Sequence, residues 1–567
     1  MTATTETPAP GTRQAENGLL SHARGPADVP LLQETIGANF DRIAGAHASR
    51  DALVEFATGR RWTYGQLRDD VDALALGLLR LGIEQGDRVG IWAPNCAEWT
   101  QLQYATAKIG AILVCINPAY RVHELEYVLK QSGVRLLVAA RSFKTTDYAT
   151  MIADVRSSCP MLEHVVLIGS QQWRTLPDPD GDPAKLDARQ ATLDPRDPIN
   201  IQYTSGTTGH PKGATLTHRN ILNNAYFIGE VLGYTEADRI CVPVPLFHTF
   251  GMVIGNLGAT THGACLVYPS PSFDPRATLA AIERERCTSL YGVPAMFIAE
   301  LAVLQESGPG ESGYDLGSLR TGMMAGSPCP VEVMKQVVDR MGMTEVTIGY
   351  GMTETSPIST QTRADDTLER RASTVGRVHP HVEIAILDPQ TGQTLPRGVS
   401  GEFCTRGYSV MLGYWDQPDK TAEAIDAGGW MHTGDLATMD ADGYVNITGR
   451  IKDMLIRAGE NVSPREIEEF LYTHPDIQDA AVIGVPDPLR GEEIMAWIML
   501  RPGAAELTVD DLRAYAAGRI AHYKAPRYVR IVQEFPTTLS GKVRKVEMRR
   551  ISIDLLGLGD AAATRHA

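Results

Sequence analysis

The sequence predicts an α/β protein in two parts: a large N-terminal region of several subdomains with parallel sheets, and a small C-terminal α+β domain. The chain has 567 residues, more than a single hydrophobic core organises. Between residues 88 and 116, short apolar runs flank a helical stretch in the order strand–helix–strand, which implies parallel pairing with helices on the sheet faces. A second set of helix and strand signals begins beyond Gly449-Arg-Ile-Lys452. The expected division is a disordered tail over 1–28, an N-terminal domain over 29–451, a hinge at 452 and a C-terminal domain over 453–567.

Residues 1–28 are rich in Thr, Ala, Pro, Glu and Gly without periodicity, hence the expected tail. Thr63-Tyr-Gly-Gln66 is a capping box, followed by Leu67, Val71, Leu74, Leu78 and Leu81 at helical spacing. A strand is expected over 88–92, a helix over about 97–108 and a strand over 111–116, with further strands at 136–139 and 165–168. The polar stretch 171–198 reads as a surface loop. Ile199, Ile201 and Tyr203 alternate with polar residues as a strand does, and a helix follows from about 220 to 231. Residues 383–387 and 401–406 read as short strands. In the C-terminal part, Ser463-Pro-Arg-Glu466 is a second capping box with Pro at the first helical position. It predicts a helix through Leu471, then strands at 480–485 and 494–500 and a helix over 509–520.

Hydrophobic residues make up 43% and charged residues 21%, ordinary for a soluble globular protein. No apolar run approaches the ~20 residues of a membrane helix. The first twenty residues lack an apolar core behind a basic start, so a cytoplasmic location and no integral membrane segment are expected. Eight cysteines stand without a CxxC pair, which favours buried free thiols over a zinc or redox site. A net charge of −15 argues against nucleic-acid binding. Residues 521–550, however, carry eight Lys or Arg against two Glu.

The segment Tyr203-Thr-Ser-Gly-Thr-Thr-Gly-His-Pro-Lys-Gly213 carries the clearest chemistry. Gly206, Gly209 and Gly213 let the backbone bend and approach a ligand. Thr204, Ser205, Thr207 and Thr208 add hydroxyls, and Lys212 adds a positive charge. Together these suit polyphosphate oxygens. The segment is not a Walker A loop, which needs GxxxxGK[ST]. Read by itself, it is equally a Gly-rich surface turn.

These eleven residues resemble the signature of the adenylate-forming superfamily of acyl-CoA synthetases, luciferases and nonribosomal adenylation domains. Tyr350-Gly-Met-Thr-Glu354 resembles its second ATP motif, and Trp430-Met-His-Thr-Gly-Asp435 its ribose motif. Gly449-Arg-Ile-Lys-Asp453 resembles its hinge, and Ser540-Gly-Lys542 its terminal catalytic lysine. All five occur in the family's order across roughly residues 35–550. The resemblance implies an ATP site of Thr204, Ser205, Gly206, Thr207, Thr208, Gly209, His210, Pro211 and Lys212, with Ala325, Gly326, Ser327, Gly349, Tyr350, Gly351, Met352, Asp435 and Arg450. It assigns Thr353 to a phosphate oxygen and Glu354 to Mg²⁺, a hard ion suited to oxygen ligands. Gly349, Tyr350 and Gly351 would form an adenine slot, and Asp435 would accept both ribose hydroxyls. Arg450 would contact ribose or phosphate. Lys542 would bridge the attacking carboxylate and the α-phosphate.

The implied reaction has two steps: acid plus ATP gives acyl-AMP and pyrophosphate, then coenzyme A displaces AMP. In the family a mobile C-terminal lid rotates between the steps about the residue matching Lys452. Ala458, Gly459 and Glu460 would then border a thiol tunnel, with Arg527 and Arg490 offered to the phosphates of CoA. ATP, Mg²⁺ and CoA are thus the expected cofactors, and a homodimer is left open.

Amino-acid-activating relatives carry an Asp soon after the Phe of a motif near Pro245-Leu-Phe-His-Thr-Phe250. Here His248 and Thr249 follow Phe247. A buried ammonium without a partner is costly, so a substrate lacking an α-amino group is expected. Phe247, His248, Met252 and Gly326 are the expected acyl-pocket residues, with His248 either gating the pocket or packing within it. Methionine-rich, uncharged walls accept variable apolar shapes. A fatty acyl chain fits; an aryl acid fits less well. Phe273-Asp-Pro and Tyr291-Gly-Val-Pro most resemble the medium-chain branch. The alternatives are an aryl-acid CoA ligase, an acyl-AMP ligase loading a carrier protein, whose typical insertion before the hinge is not seen, and an idle nucleotide-binding protein.

Overall fold

The computed structural model describes residues 19–204, 211–306, 313–327, 329–457, 460–505, 507–538 and 542–559. The expected βαβ unit forms: Arg88–Trp92 lies parallel between Ile112–Cys115 and Val134–Ala139, with Ala97–Ile109 as the connecting helix. His164–Leu167 and Pro198–Thr204 extend this parallel sheet on its two sides. Lys212–Thr217 and Gly413–Tyr414 then add antiparallel, giving seven strands. Helix Ala97–Ile109 is buried all round, down to Lys108. The Lys108 ammonium is met by the carboxylates of Asp41 and Asp72, from the helices Ile36–Ala46 and Tyr64–Arg80 packed against it. A buried cation persists only when paired in this way.

A second sheet has nine strands. Its parallel centre includes Ser289–Gly292, Thr321–Ala325 and Glu345–Gly351. Their carboxyl ends deliver Val293, Gly326 and Met352 to one edge, the usual position of a ligand crevice in such sheets. A third sheet is antiparallel: His22–Arg24, Val382–Leu387, Gly401–Gly407, Met431–Met439 and Val445–Arg450. After the single turn Ile451–Asp453, the chain enters the C-terminal sheet at Leu455–Arg457. There Gly491–Leu500 pairs with Ile477–Asp487 and, in parallel, with Tyr528–Ile531. Separate apolar clusters around Leu471 and Trp497 form its core.

Four expectations need correction. Part of the presumed tail is ordered: His22–Arg24 pairs antiparallel with Val382–Leu387, and Arg24 meets Glu383 at 2.5 Å. A three-residue edge strand held through its backbone leaves no periodic trace. Residues 1–18 lie outside the described set. The 171–198 stretch contains two helices, Gln171–Thr175 and Pro183–Gln190, capped by Ser170 and Asp182. Leu186 is the one buried residue they supply, so helical periodicity was invisible. Ser463 does not cap its helix, because its hydroxyl donates to the Thr448 carbonyl at 2.6 Å. The last predicted helix stops at Ala516. The capping box at Thr63 does form. Among the described residues no helix is long and apolar enough to cross a membrane.

Candidate active site

Thr204 faces Lys212 across the antiparallel pair that carries the glycine-rich segment. Residues 205–210, and with them Ser205, Gly206, Thr207, Thr208, Gly209 and His210, lie outside the described set. At the described end of the loop, a Cβ on Gly213 would stand 2.8 Å from the Ile201 side chain and 3.4 Å from the Tyr203 ring. Only glycine lets the two strands close here. Lys212 Nζ lies 4.1 Å from the centre of the Tyr414 ring, a cation–π distance. The Tyr414 hydroxyl donates to Glu354 Oε1 at 2.8 Å. One tyrosine thus touches both Lys212 and Glu354.

Glu354 is 5% exposed and sits in the short turn Thr353–Thr355, directly after the strand Glu345–Gly351. The Thr355 hydroxyl accepts from the Met352 amide and closes that turn. A Cβ on Gly351 would fall 1.8 Å from the Pro357 carbonyl oxygen, and one on Gly349 2.8 Å from Met323 Sδ. Tyr350 donates to Asp435 Oδ2 at 2.7 Å, and Arg450 Nε donates to Oδ1 at 2.7 Å. Burial, and then the charge of Asp435, push the Tyr350 phenol far above its ordinary pKa, so it stays a donor.

Lys542 joins this cleft from the C-terminal domain. Its backbone is tied on both sides to Thr538, through the Thr538 hydroxyl at 3.1 Å and the Thr538 amide at 2.8 Å. A Cβ on Gly326, whose φ is +90°, would be 4.0 Å from Lys542 Cε. Lys542 keeps exposed surface, so the cleft is open, yet protein crowds its ammonium. That desolvation first, and Arg450 second, lower its pKa from the usual 10.5, while Glu354 and Asp435 act in the opposite sense. Burial, with Lys542 adding to it, lowers His248 to about 3. The ring is therefore neutral, and its Nδ1 accepts from the Phe250 amide at 3.2 Å.

Beyond His248, Phe250–Leu257 forms a wholly buried π-helix, an arrangement frequent at functional sites. Its altered carbonyl pattern is met by side chains. Gln103 Nε2 donates to the Met252 carbonyl at 3.1 Å, and Asn256 Nδ2 donates to Gln103 Oε1 at 2.8 Å. Gln202 Nε2 reaches Met252 Sδ at 2.8 Å. Gln202 lies in the strand Pro198–Thr204 that enters the glycine-rich segment, so that strand and the π-helix are joined through Met252.

Residues 40–415 match the family model described as AMP-binding enzyme, and residues 466–542 the model described as AMP-binding enzyme C-terminal domain. The chain belongs to the AMP-binding enzyme family. It is 47% identical over 557 residues to a Bacillus subtilis (strain 168) protein provisionally named acyl-CoA synthetase YngI, covering 94% of this chain and 99% of that one. It is 43% identical to the medium-chain acyl-CoA ligase ACSF2, mitochondrial, of Danio rerio, covering 95% and 91%. Among solved structures it resembles the anthranilate CoA ligase AuaEII in complex with anthranoyl-AMP, with a TM-score of 0.81, 30% identity and coverage of 93% and 98%. These relatives place it in the acyl-CoA synthetase branch, whose members are AMP-forming acid–thiol ligases.

For this AMP-binding enzyme, the residues expected at the hinge and for CoA fall in three places. Lys452 is exposed in the turn Ile451–Asp453 between two sheets. Arg490 and Arg527 line a cleft of about 640 Å³ with Arg457, Arg513 and His522, wholly within the C-terminal domain. Arg457, Arg490 and Arg527 share one buried carboxylate, Glu493, at 2.8, 2.8 and 3.4 Å. Arg527 also meets Asp487 at 3.4 Å. Glu460 lies in the strand Glu460–Val462, while Ala458 and Gly459 lie outside the described set. Magnesium is implied by the family, and the buried Glu354 carboxylate fits it as a hard oxygen donor. Tyr414, Gln103 and Gln202 were not singled out by sequence reasoning.

Proposed function

We propose that this chain is an ATP-dependent fatty acid–CoA ligase favouring medium-chain acids. The observation that carries the reading is the meeting of Lys542 with His248, Gly326, Glu354, Asp435 and Arg450 in one cleft. In the first step a carboxylate oxygen attacks the α-phosphorus of ATP, and the bond to pyrophosphate breaks with its electron pair leaving on pyrophosphate. Lys542 stabilises the negative charge that gathers between the acid and the α-phosphate. Asp435 holds the ribose hydroxyls, and Lys212 meets the departing phosphates. Glu354, with Thr353, would hold Mg²⁺, which neutralises phosphate charge when bound.

In the second step the CoA thiolate attacks the acyl carbon, and AMP leaves with the carboxyl–phosphate oxygen. The arginine cleft around Glu493 is suited to the phosphates of CoA, since its guanidinium groups outnumber the carboxylates they share. Passage between steps proceeds by rotation about Lys452. The medium-chain preference rests on the named medium-chain relative and on the apolar side chains of Phe247 and Met252. The resemblance to an anthranilate CoA ligase favours including aryl acids as the second substrate class.

Acid-dependent ATP–pyrophosphate exchange, with straight-chain acids of increasing length and with benzoate-type acids, tests the first step. AMP release with and without CoA tests the second. Exchange and CoA-dependent AMP release should peak together with medium-chain acids. Absence of exchange with any acid overturns the ligase reading. Exchange without CoA turnover overturns CoA as the thiol and points to a carrier protein.

A further inference from the structure

We propose that Glu402 and His432 are positioning residues for ATP, clamping the chain so that Asp435 faces the ribose. The proposal rests on Asp435 being the ribose carboxylate.

The pairing of Gly401–Gly407 with Met431–Met439 is irregular at this point. Glu402 faces Leu436, but Cys404 faces His432. Two steps along one strand therefore correspond to four along the other, and residues 433–435 form a bulge. Such bulges re-aim a side chain next to a site. Gly434 stands at its apex with φ +71°, a conformation suited to glycine. Asp435 leaves the bulge buried, accepting from Tyr350 and Arg450.

Glu402 spans the bulge. Its Oε1 accepts from the Gly434 amide at 3.0 Å, and its Oε2 meets His432 Nδ1 at 2.9 Å. Thr433 completes the fastening: its hydroxyl donates to the Phe403 carbonyl at 2.6 Å and accepts from the Asp435 amide at 3.1 Å. His432 Nε2 lies 3.6 Å from Asp426, which steadies the far side of the ring. Cys404 Sγ is 3.4 Å from His432 Nδ1. Glu402, Cys404 and His432 are close enough to share an ion. Both Glu402 oxygens are nevertheless spent on the bulge, and burial, with Glu402 and Asp426 nearby, keeps Cys404 a protonated thiol that packs behind the ring. Glu402 is 12% exposed; a carboxylate so enclosed is held by the donors it meets. Removing it leaves the Gly434 amide without its partner and the bulge free to change shape, and Asp435 then loses its aim without losing its charge.

The test uses the full chain with a saturating acid in ATP–pyrophosphate exchange. Glu402→Ala, Glu402→Gln, His432→Asn and Asp435→Ala are compared for KM and kcat with ATP. The kcat/KM preference for ATP over 2′,3′-dideoxy-ATP is measured for each, with melting temperature alongside. Glu402→Ala and His432→Asn should raise KM for ATP on the order of tenfold, the scale of one charge-assisted hydrogen bond, with kcat nearly kept. Their preference for the ribose hydroxyls should shrink toward that of Asp435→Ala. Glu402→Gln, which retains an acceptor for the Gly434 amide, should recover most of the loss. If Asp435→Ala loses the preference while Glu402→Ala and His432→Asn keep it, the clamp is refuted and the ribose assignment stands. If Asp435→Ala itself keeps the preference, the ribose assignment falls and the clamp with it. A KM rise that follows melting temperature while the preference stays intact also refutes the clamp. Should Glu402→Ala not fold, His432→Asn carries the same comparison.

Discussion

Tyr414→Phe removes a single oxygen and keeps the ring that Lys212 faces at 4.1 Å. What is lost is the 2.8 Å hydrogen bond to Glu354 Oε1. Hydrogen bonds to charged groups contribute about 1.5–3 kcal/mol, and ~1.4 kcal/mol is a tenfold change in an equilibrium constant. A carboxylate only 5% exposed lies within that range, but the open cleft admits water, which offsets part of the loss. The expected result is a rise of roughly tenfold in the Mg²⁺ concentration giving half-maximal ATP–pyrophosphate exchange. Mn²⁺ binding in the presence of ATP, followed by electron paramagnetic resonance, should weaken in parallel. Tyr414→Leu also removes the cation–π contact, which contributes about 0.5–1 kcal/mol, and should further raise KM for ATP. A folded Tyr414→Phe variant with unchanged Mg²⁺ and Mn²⁺ dependence would show that Glu354 does not rely on this hydroxyl, or does not face the metal.

Lys542→Ala should lower adenylation by on the order of 10²–10³ while largely sparing thioester formation from supplied acyl-AMP; equal loss in both half-reactions contradicts its role. Because burial lowers the Lys542 pKa below 10.5, adenylation should fail on the alkaline side before a free lysine would lose its proton, and thioester formation should not share that limb. Glu300 is buried with neither carboxyl oxygen bonded to a protein partner, and burial raises its pKa well above 4.5. Its folded pKa exceeds its unfolded one, so its contribution to stability is complete below 4.5 and is lost as pH rises toward the folded value. Melting temperatures of wild type and Glu300→Gln should accordingly diverge between pH 5 and 8 in favour of the variant, and parallel curves would contradict this. Gly351→Ala would place a Cβ 1.8 Å from the Pro357 carbonyl, and calorimetry should show loss of ATP binding; wild-type affinity would mean that this turn lies outside the nucleotide slot.

Elements whose signal is local were legible in the sequence. Arg88–Trp92 ends where its apolar run ends, and Thr63 caps the helix that its spacing announces. The motif residues Glu354, Asp435, Arg450 and Lys542 were legible as members of a pattern, and the fold brings them to one cleft. What stayed hidden depends on partners far along the chain. Tyr414 acts on a glutamate 60 positions earlier, and Glu402 works through a bulge formed only when two strands pair. Ser463 looked like a cap until the preceding sheet supplied Thr448 as a nearer acceptor. Periodicity reports which face of an element is buried; it carries nothing about which polar group waits on the other side.

The turn Ile451–Asp453 joins two sheets. Arg450, the last residue of the antiparallel sheet, grips Asp435, and Leu455, five residues further on, already belongs to the next sheet. A swing of the C-terminal domain about Lys452, as proposed, would therefore pivot two residues from the guanidinium that holds Asp435. If the proposed rotation withdraws Lys542 after adenylation, it would also pull on the Arg450–Asp435 pair, and chain connectivity alone would gear domain motion to the loosening of AMP.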